Sequence, residues 1–203
     1  MPRAEGSPDL DLRPGEPARG TLARWIAVCG GCGAAAPDLS VLPEDAAAIV
    51  RSAAYTGCPG SGPTRPFRRW AILSPSSAPD VLLHAAWAAD DSGLMEEAAS
   101  LRREAAALWA GVTDAERACR RLDALRRAGD FQEAARWLNT IGAWPHDETT
   151  AAILSFQRAR IEAGDAGRHP LSAALRPPAH APHVSHGKRA RSGGGWMARW
   201  FGR

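Results

Sequence analysis

One stretch of the sequence predicts most of the architecture: Ala124-Leu-Arg-Arg-Ala-Gly129-Asp130-Phe131-Gln-Glu133-Ala134-Ala-Arg-Trp137. It predicts one helix, a tight turn and the start of a second helix, because glycine readily adopts the left-handed conformation that ends helices. The segment Gly93-Leu-Met95-Glu-Glu97-Ala98 lies 36 residues upstream of Gly129-Asp130 and aligns with the segment from Gly129 to Ala134 without a gap, and a second Gly-Asp pair follows at Gly164-Asp165. A period of about 35 residues is typical of stacked helical hairpins.

The helical pattern continues on both sides of this turn. Apolar residues recur at helical spacing and predict five helices, which begin near Asp80, Leu94, Thr113, Asp130 and Asp147. After Gly164 the repeat fails, because Pro170 and the pair Pro177-Pro178 prevent a full partner helix. We therefore expect a mostly α fold, with antiparallel helical hairpins over residues 80–165 that extend to about residue 175 at most.

The composition of the 203-residue chain suits one domain with a small accessory module and tails. Eight tryptophans, one tyrosine and few β-branched runs argue against a fold built on a sheet. The net charge of +3 is uneven, because the chain from Arg168 onwards holds seven basic residues and no acidic one. The rest of the chain is therefore mildly acidic, and specific binding of nucleic acid is not indicated.

Composition predicts disorder at both ends of the chain. Residues 1–20 are rich in proline, glycine and charge, and residues 176–203 form a basic tail. The tail contains His180-x-x-His183-x-x-His186 without a rigid site, and it ends in an aromatic motif of Trp196, Trp200 and Phe201. That motif predicts docking on a partner or on a membrane surface. The chain has no export signal and no apolar run long enough for a bilayer, so we expect a cytoplasmic protein.

Residues 21–74 predict a small cysteine module with a helix. Cys29-x-x-Cys32-Gly33 has the spacing of a zinc knuckle, and Cys58-Pro-Gly-Ser61-Gly62 looks like a second knuckle with serine in place of its last cysteine. We expect a zinc site made by Cys29, Cys32 and Cys58, with an unassigned fourth ligand for which His84 is a distant candidate. A degenerate site held by packing and a redox use of Cys29 and Cys32 remain as alternatives.

The other candidate features indicate structure rather than chemistry. Cys119 lies on an apolar helix face and is expected in the core. A set of arginines on the second and third repeat helices predicts a solvated face or a contact with an acidic partner segment: Arg102, Arg103, Arg117, Arg120, Arg121, Arg126 and Arg127. No nucleophile elbow, phosphate loop or metalloprotease motif is found, so we do not expect an enzyme.

At the repeat, the run from Leu125 through Gly129-Asp130-Phe131 to Ala134 resembles the turn of a tetratricopeptide repeat (TPR). With the CxxC module ahead of it, the chain resembles an uncharacterised bacterial family that pairs an N-terminal zinc-knuckle region with TPR-like hairpins. The resemblance covers about residues 29–163. It implies a helical repeat fold, a zinc-binding start and a scaffolding role, and no known catalytic activity. Ser61 and the truncated third hairpin depart from this pattern.

The sequence thus predicts a non-catalytic interaction scaffold that binds a protein or peptide through its helical-hairpin surface. The alternative is a metal-dependent or thiol-redox enzyme centred on Cys29, Cys32 and Cys58. The two functions differ in what the cysteines do, because a scaffold uses them to hold structure and an enzyme uses them on a substrate.

Overall fold

The computed structural model describes residues 3–175, and the expected mostly helical fold is confirmed. A two-stranded antiparallel hairpin and two short 3-10 turns accompany nine α-helices in this part of the chain. The strands are β1 (Ala27–Val28) and β2 (Ala35–Ala36), and the 3-10 turns are Arg19–Arg24 and Pro75–Ser77. The helices are α1 (Ala46–Arg51), α2 (Ala53–Thr56), α3 (Arg65–Leu73), α4 (Ala78–Asp91), α5 (Met95–Leu108), α6 (Ala115–Arg127), α7 (Phe131–Gly142), α8 (Glu148–Glu162) and α9 (Leu171–Ala174).

The long helices pack consecutively, as the repeat predicts. Helix α4 packs against α5, α5 against α6, α6 against α7, and α8 contacts both α6 and α7. The connecting glycines have the expected left-handed backbone, with φ of 72° at Gly93, 79° at Gly129 and 62° at Gly164. Helix α9 has only four residues, so the shortened end of the repeat is confirmed.

Two helix starts depend on aspartate side chains. The Asp114 carboxylate accepts the amide of Arg117 at 2.9 Å, and the Asp147 carboxylate accepts the amide of Thr150 at 2.7 Å. Helix α6, which was expected to begin near Thr113, is capped by Asp114, because Asp114 has the extended backbone of a cap and its carboxylate accepts the free amide.

Alanine allows the long helices to approach closely. Helix α4 buries Ala85, Ala86 and Ala89 completely beside Leu83, and its neighbour α5 buries Ala105. The same core includes Phe67 and Ala71 of α3, as well as Leu22. A second, smaller core lies in the cysteine module and is formed by Ala34, Ala46, Val50, Tyr55 and Leu73. Cys119 is buried in the main core, as expected.

The segment 74–79, which has the composition of a linker, is structured. The amide of Ser77 bonds to the carbonyl of Ser74, and the two hydroxyl groups lie 2.8 Å apart. Pro75 and Pro79 occupy first-turn positions, where a missing amide costs nothing. Helix α3 therefore leads into α4 through one tight turn.

The expected disorder of residues 1–20 is wrong for the part that the structure describes. Residues 7–13, which we call the strap, lie against the helices and contain a tight turn, in which the amide of Leu12 donates to the carbonyl of Asp9 at 2.9 Å. Leu10 is only 2% exposed, and its amide donates to the carbonyl of His169 at 3.1 Å. In return the amide of Leu171 donates to the carbonyl of Pro8 at 2.7 Å. Composition misses this order because the charged residues of the strap have partners far along the chain.

Buried charge fixes the strap in place. The Asp11 carboxylate accepts the indole N–H of Trp87 at 2.8 Å and the guanidinium of Arg127 at 2.9 Å. Arg127 also donates to Asp90 of α4 at 2.8 Å. Burial opposes the charge on Asp11, but Arg127 and Arg102 outweigh it and hold the pKa of that carboxyl below its usual range. The strap, α4 and α6 thus share one charge network.

No helix within residues 3–175 combines the length and the apolarity that a membrane crossing needs. The predicted disorder of residues 176–203 and the motif of Trp196, Trp200 and Phe201 lie outside the described residues.

The left-handed turn at Gly129 can be tested by alanine substitution. A Cβ at Gly129 or at Gly142 would meet nothing within 4 Å, but only Gly129 has a positive φ. We expect Gly129→Ala to lower the free energy of unfolding by about 1 kcal/mol, from backbone strain alone. Gly142→Ala is the matched control and is expected to be neutral or slightly stabilising. Equal urea midpoints for the two variants would contradict the assigned turn.

The charge network can be tested by Asp11→Asn. We expect a loss of about 3 kcal/mol in urea unfolding at pH 7, because Arg127 loses a buried partner. Asp91→Asn, which removes the half-exposed partner of Arg13, is expected to cost less than about 1 kcal/mol.

The stabilisation that Asp11 provides is expected to depend on pH. The folded pKa of Asp11 lies below the ordinary 3.8, so its stabilisation is present above that value and is lost as the pH falls through the folded pKa. The difference between wild type and Asp11→Asn is therefore expected to shrink below about pH 4. A difference that grows on acidification would contradict the network.

Candidate functional site

The first candidate site is the loop between β1 and β2, which carries Cys29 and Cys32. The strands pair Ala27 with Ala36 and Val28 with Ala35. The amide of Cys29 donates to the carbonyl of Ala34 at 2.8 Å, and the amide of Gly33 donates to the carbonyl of Cys29 at 2.9 Å. Gly33 has a φ of +73° that closes the turn. The sequence GGCG therefore folds into a compact knuckle at the end of the hairpin.

Backbone amides in this knuckle favour the thiolate of Cys29. The amides of Cys32 and Gly31, followed by the Cys32 side chain, hydrogen-bond to its sulfur and lower its pKa. The side chain of Cys32 is exposed and that of Cys29 is half-buried. Since the thiolate is the form that acts as nucleophile and as metal ligand, the knuckle favours either use.

Tyr55 holds the knuckle from its inner side. The buried phenol accepts the amide of Ala35 at 2.9 Å and donates to the carbonyl of Gly33 at 3.1 Å. The guanidinium of Arg69 lies over the Tyr55 ring, 5.3 Å from its centroid, and donates to the same Gly33 carbonyl at 3.5 Å. The single tyrosine of the chain thus links the C-terminal end of the loop to the small core.

Cys58 is in a different environment. Its side chain is buried, and burial raises the pKa of its thiol although Arg68 and Arg69 act in the opposite direction. Within residues 3–175 no three His, Cys, Asp or Glu side chains are gathered closely enough to hold a metal ion. The structure therefore keeps Cys29 beside Cys32 and does not bring the predicted third ligand to them.

The loop at Ser61, which was expected to resemble a second knuckle, bonds to α5 instead. The amide of Ser61 donates to the carboxylate of Glu97 at 3.1 Å, and the Ser61 hydroxyl lies 3.2 Å from that of Thr64. The buried Thr64 hydroxyl also bonds to Glu97. Burial disfavours the charge on Glu97, but these hydrogen bonds outweigh it and lower its pKa. The loop thus serves to attach the cysteine module to α5.

His84, the distant candidate for a fourth zinc ligand, belongs to an aromatic cluster. Its ring centroid lies 4.7 Å from that of Trp87 and 5.2 Å from that of Trp25, with Phe67 and Trp70 next to it. Burial, followed by the charge of Arg120, lowers the pKa of His84 to about 4. The imidazole is therefore neutral at physiological pH and contributes to packing.

The second candidate site consists of two neighbouring grooves. One, of about 470 Å³, lies between residues 36–43 and the segment from Trp70 to Ser76. The other, of about 330 Å³, lies between Pro75–Asp80 and the end of α5. The grooves share Pro75 and Ser76, and we call them together the seam. Sequence patterns did not predict it, because its walls come from four separate segments.

Two of the most exposed large apolar side chains line the seam. Val41, which is 75% exposed, lines the larger groove, and Leu108, which is 57% exposed, lines the smaller one. Asp38 lines the larger groove, and Asp80 and Arg117 line the smaller one, where Asp80 is paired with Arg120. The seam is thus an apolar surface with an acidic side chain in its larger groove.

The arginines of the repeat helices are used mainly inside the chain. Arg102 bonds to Asp90 at 2.5 Å and Arg126 to Asp123 at 2.6 Å, and all four side chains are largely buried. The guanidinium of Arg121 lies 4.1 Å from the ring centroid of Trp137. These contacts hold the helices together, so the predicted arginine face is not a surface for an acidic partner at these positions.

The chain has been compared with protein-family models, with curated proteins and with solved structures, and none of the three comparisons gives a match. Functional inference therefore depends on the sites themselves.

Cysteine reactivity provides a direct test of the knuckle. We expect iodoacetamide at pH 7 to alkylate Cys29 and Cys32 in the native protein, with a rate at Cys29 that reaches half its maximum below pH 9.0, the ordinary thiol pKa. Cys58 and Cys119 should react only after unfolding, since burial raises both pKa values, that of Cys119 to about 12. Peptide mass spectrometry measures each site, with urea-unfolded protein as the control. Equal native labelling of Cys119 and Cys29 would contradict the assignment.

Proposed function

We propose that this protein is a non-catalytic scaffold that binds an apolar segment of a partner protein at the seam. The observation that carries the proposal is the exposure of Val41 and Leu108 in two grooves that meet at Pro75 and Ser76. Exposed apolar surface that is concentrated in adjoining concavities is characteristic of interaction sites, whereas single exposed apolar residues are common on any protein.

The energetics favour a short peptide-like partner. Full burial of a valine or leucine side chain contributes about 1.5–3 kcal/mol, and association itself costs at least about 4 kcal/mol. The two anchors therefore supply only part of the free energy of a reversible contact, and apolar side chains of the partner that are buried in the grooves supply the rest. Asp38 lines the larger groove and favours a partner segment whose apolar residues are accompanied there by lysine or arginine, whereas Asp80 in the smaller groove is paired with Arg120.

The setting of the seam supports this use. Trp70, Trp109 and Val112 line the grooves and pack against the main core, and Leu42, next to Val41, packs against the small core. Little order is therefore lost on binding. The helices behind it are consecutive packed pairs with left-handed glycine turns at a period of about 35 residues. We propose that these pairs are TPR-like and present the seam at one end of the array.

The alternative function, a metal-dependent or thiol-redox enzyme centred on Cys29, Cys32 and Cys58, also stays a prediction. The amide-stabilised thiolate of Cys29 supports it. The burial of Cys58 and its raised pKa favour the scaffold. Docking of the terminal motif at Trp196, Trp200 and Phe201 is a further prediction about partners.

Site-specific photocrosslinking in the native host tests the seam. A photoreactive phenylalanine analogue at Val41 and, in a second variant, at Leu108 is expected to capture the same partner protein. Met95 provides the matched control position, because it is 58% exposed and lines neither groove of the seam. Leu108→Asp should reduce the adduct from position 41 about tenfold, the loss of roughly 1.4 kcal/mol.

Two outcomes of the crosslinking experiment would contradict the proposal. If positions 41 and 108 give no common adduct, the seam does not bind one partner. If position 95 gives that adduct in equal yield, the capture reflects exposure alone.

A further inference from the structure

We propose that Cys29 and Cys32 are one half of a zinc site, and that Cys29 and Cys32 of a second copy of this chain complete it. The resulting Zn(Cys)₄ centre joins two hairpins tip to tip and makes the protein a zinc-dependent dimer. This inference is independent of the scaffold function proposed above.

The described residues offer too few zinc ligands for a complete site, which is why we propose a second molecule. Structural zinc takes four ligands, which are mostly thiolates in sites of this kind. Within residues 3–175 no third His, Cys, Asp or Glu joins the two knuckle thiols, and Cys58 is buried with its thiol favoured in the protonated form. Two coordination positions therefore remain for groups from outside residues 3–175, and we assign them to the knuckle of a second copy.

The shape of the knuckle permits such an approach. Cys32 is exposed, and a Cβ built at Gly30 would meet nothing within 4 Å, so the loop tip is open. The hydrogen bonds of Tyr55 fix the backbone at Gly33 and Ala35, which holds the loop in one conformation before the metal arrives. Rigid support of a ligand pair reduces the entropy lost on binding.

The surface beside the knuckle fits a contact between identical molecules. Val28 precedes Cys29 and is 48% exposed, and both residues of β1 face solvent. In a two-fold dimer each Val28 approaches the partner copy at the same contact, since a two-fold interface repeats one patch on both sides. The positive charge of Arg69 near Gly33 offsets part of the net negative charge of a zinc ion held by four thiolates.

The proton balance makes the assembly depend on pH. Two neutral knuckles hold four thiol protons in all. When Zn²⁺ binds, four S–H bonds break, four Zn–S bonds form, and the protons pass to solvent. No oxidant or reductant takes part.

The contact itself is small, so the metal is required. Two loop tips bury far less than the roughly 1,000 Å² that a stable interface needs. Without zinc we therefore expect a monomer, and with zinc a dimer that chelators dissociate.

The experiment is a zinc titration of the full chain in reducing buffer, followed by analytical ultracentrifugation and metal analysis. His180, His183 and His186 are replaced by Gln in every sample, so that tail imidazoles contribute no metal binding. We expect a monomer in chelator and a dimer with about one zinc per two chains. Cobalt in place of zinc should give the absorption of a tetrahedral tetrathiolate site.

Variants separate this site from the others. Cys32→Ser should abolish both the dimer and tight zinc binding, whereas Cys58→Ser should leave both unchanged. Val28→Asp should weaken the dimer at least tenfold without changing the fold, because like charges then face each other.

Two outcomes would overturn the proposal. One is a zinc-bound monomer with one metal per chain that is lost on Cys58→Ser, which is the result expected for a site within the chain. The other is a chain that stays monomeric and metal-free in excess zinc.

Discussion

The guanidinium of Arg127 lies between two carboxylates, Asp11 of the strap and Asp90 of α4, and the packing of the helical array depends on this contact. A buried arginine is costly unless carboxylates pair with it, and each carboxylate needs the arginine for the same reason. Since the partners lie on the strap, on α4 and on α6, the charge requirement forces these three segments together. The strap is therefore an integral part of the fold.

Polar contacts also position the cysteine module. Glu97 accepts a hydrogen bond from the amide of Ser61, and Arg68 forms a bidentate salt bridge with Glu104. These contacts fix α3 and the loop before it against α5. The seam lies where this module meets the helical pairs. One wall of the larger groove packs through Leu42 on the module's small core, and the smaller groove lies at the end of α5. Cys29 packs against the same small core, and Cys32 is exposed.

Local signals in the sequence predicted the repeat, and distant pairings escaped prediction. The turns at Gly93 and Gly129 follow from neighbouring residues alone, so they could be placed. The position of the strap could not be predicted, because Asp11 forms an ion pair with Arg127, which lies 116 residues away in the sequence. The knuckle at Cys29 and Cys32 was predicted from its spacing. The sequence did not predict that Cys58 would lie apart from this knuckle, because the loop after Cys58 is held by Ser61, whose amide bonds to a carboxylate 36 residues away.

The role of the strap is tested most directly by amide hydrogen exchange of the full chain. The amides of Leu10 and Leu171, which connect the strap to α9 and the loop before it, are predicted to exchange at least about 100-fold more slowly than in an unstructured peptide, with protection lost in Asp11→Asn. Exchange of both amides at the unstructured rate, with α4 and α6 still protected, would contradict the account, because the helices would then be stable without the strap.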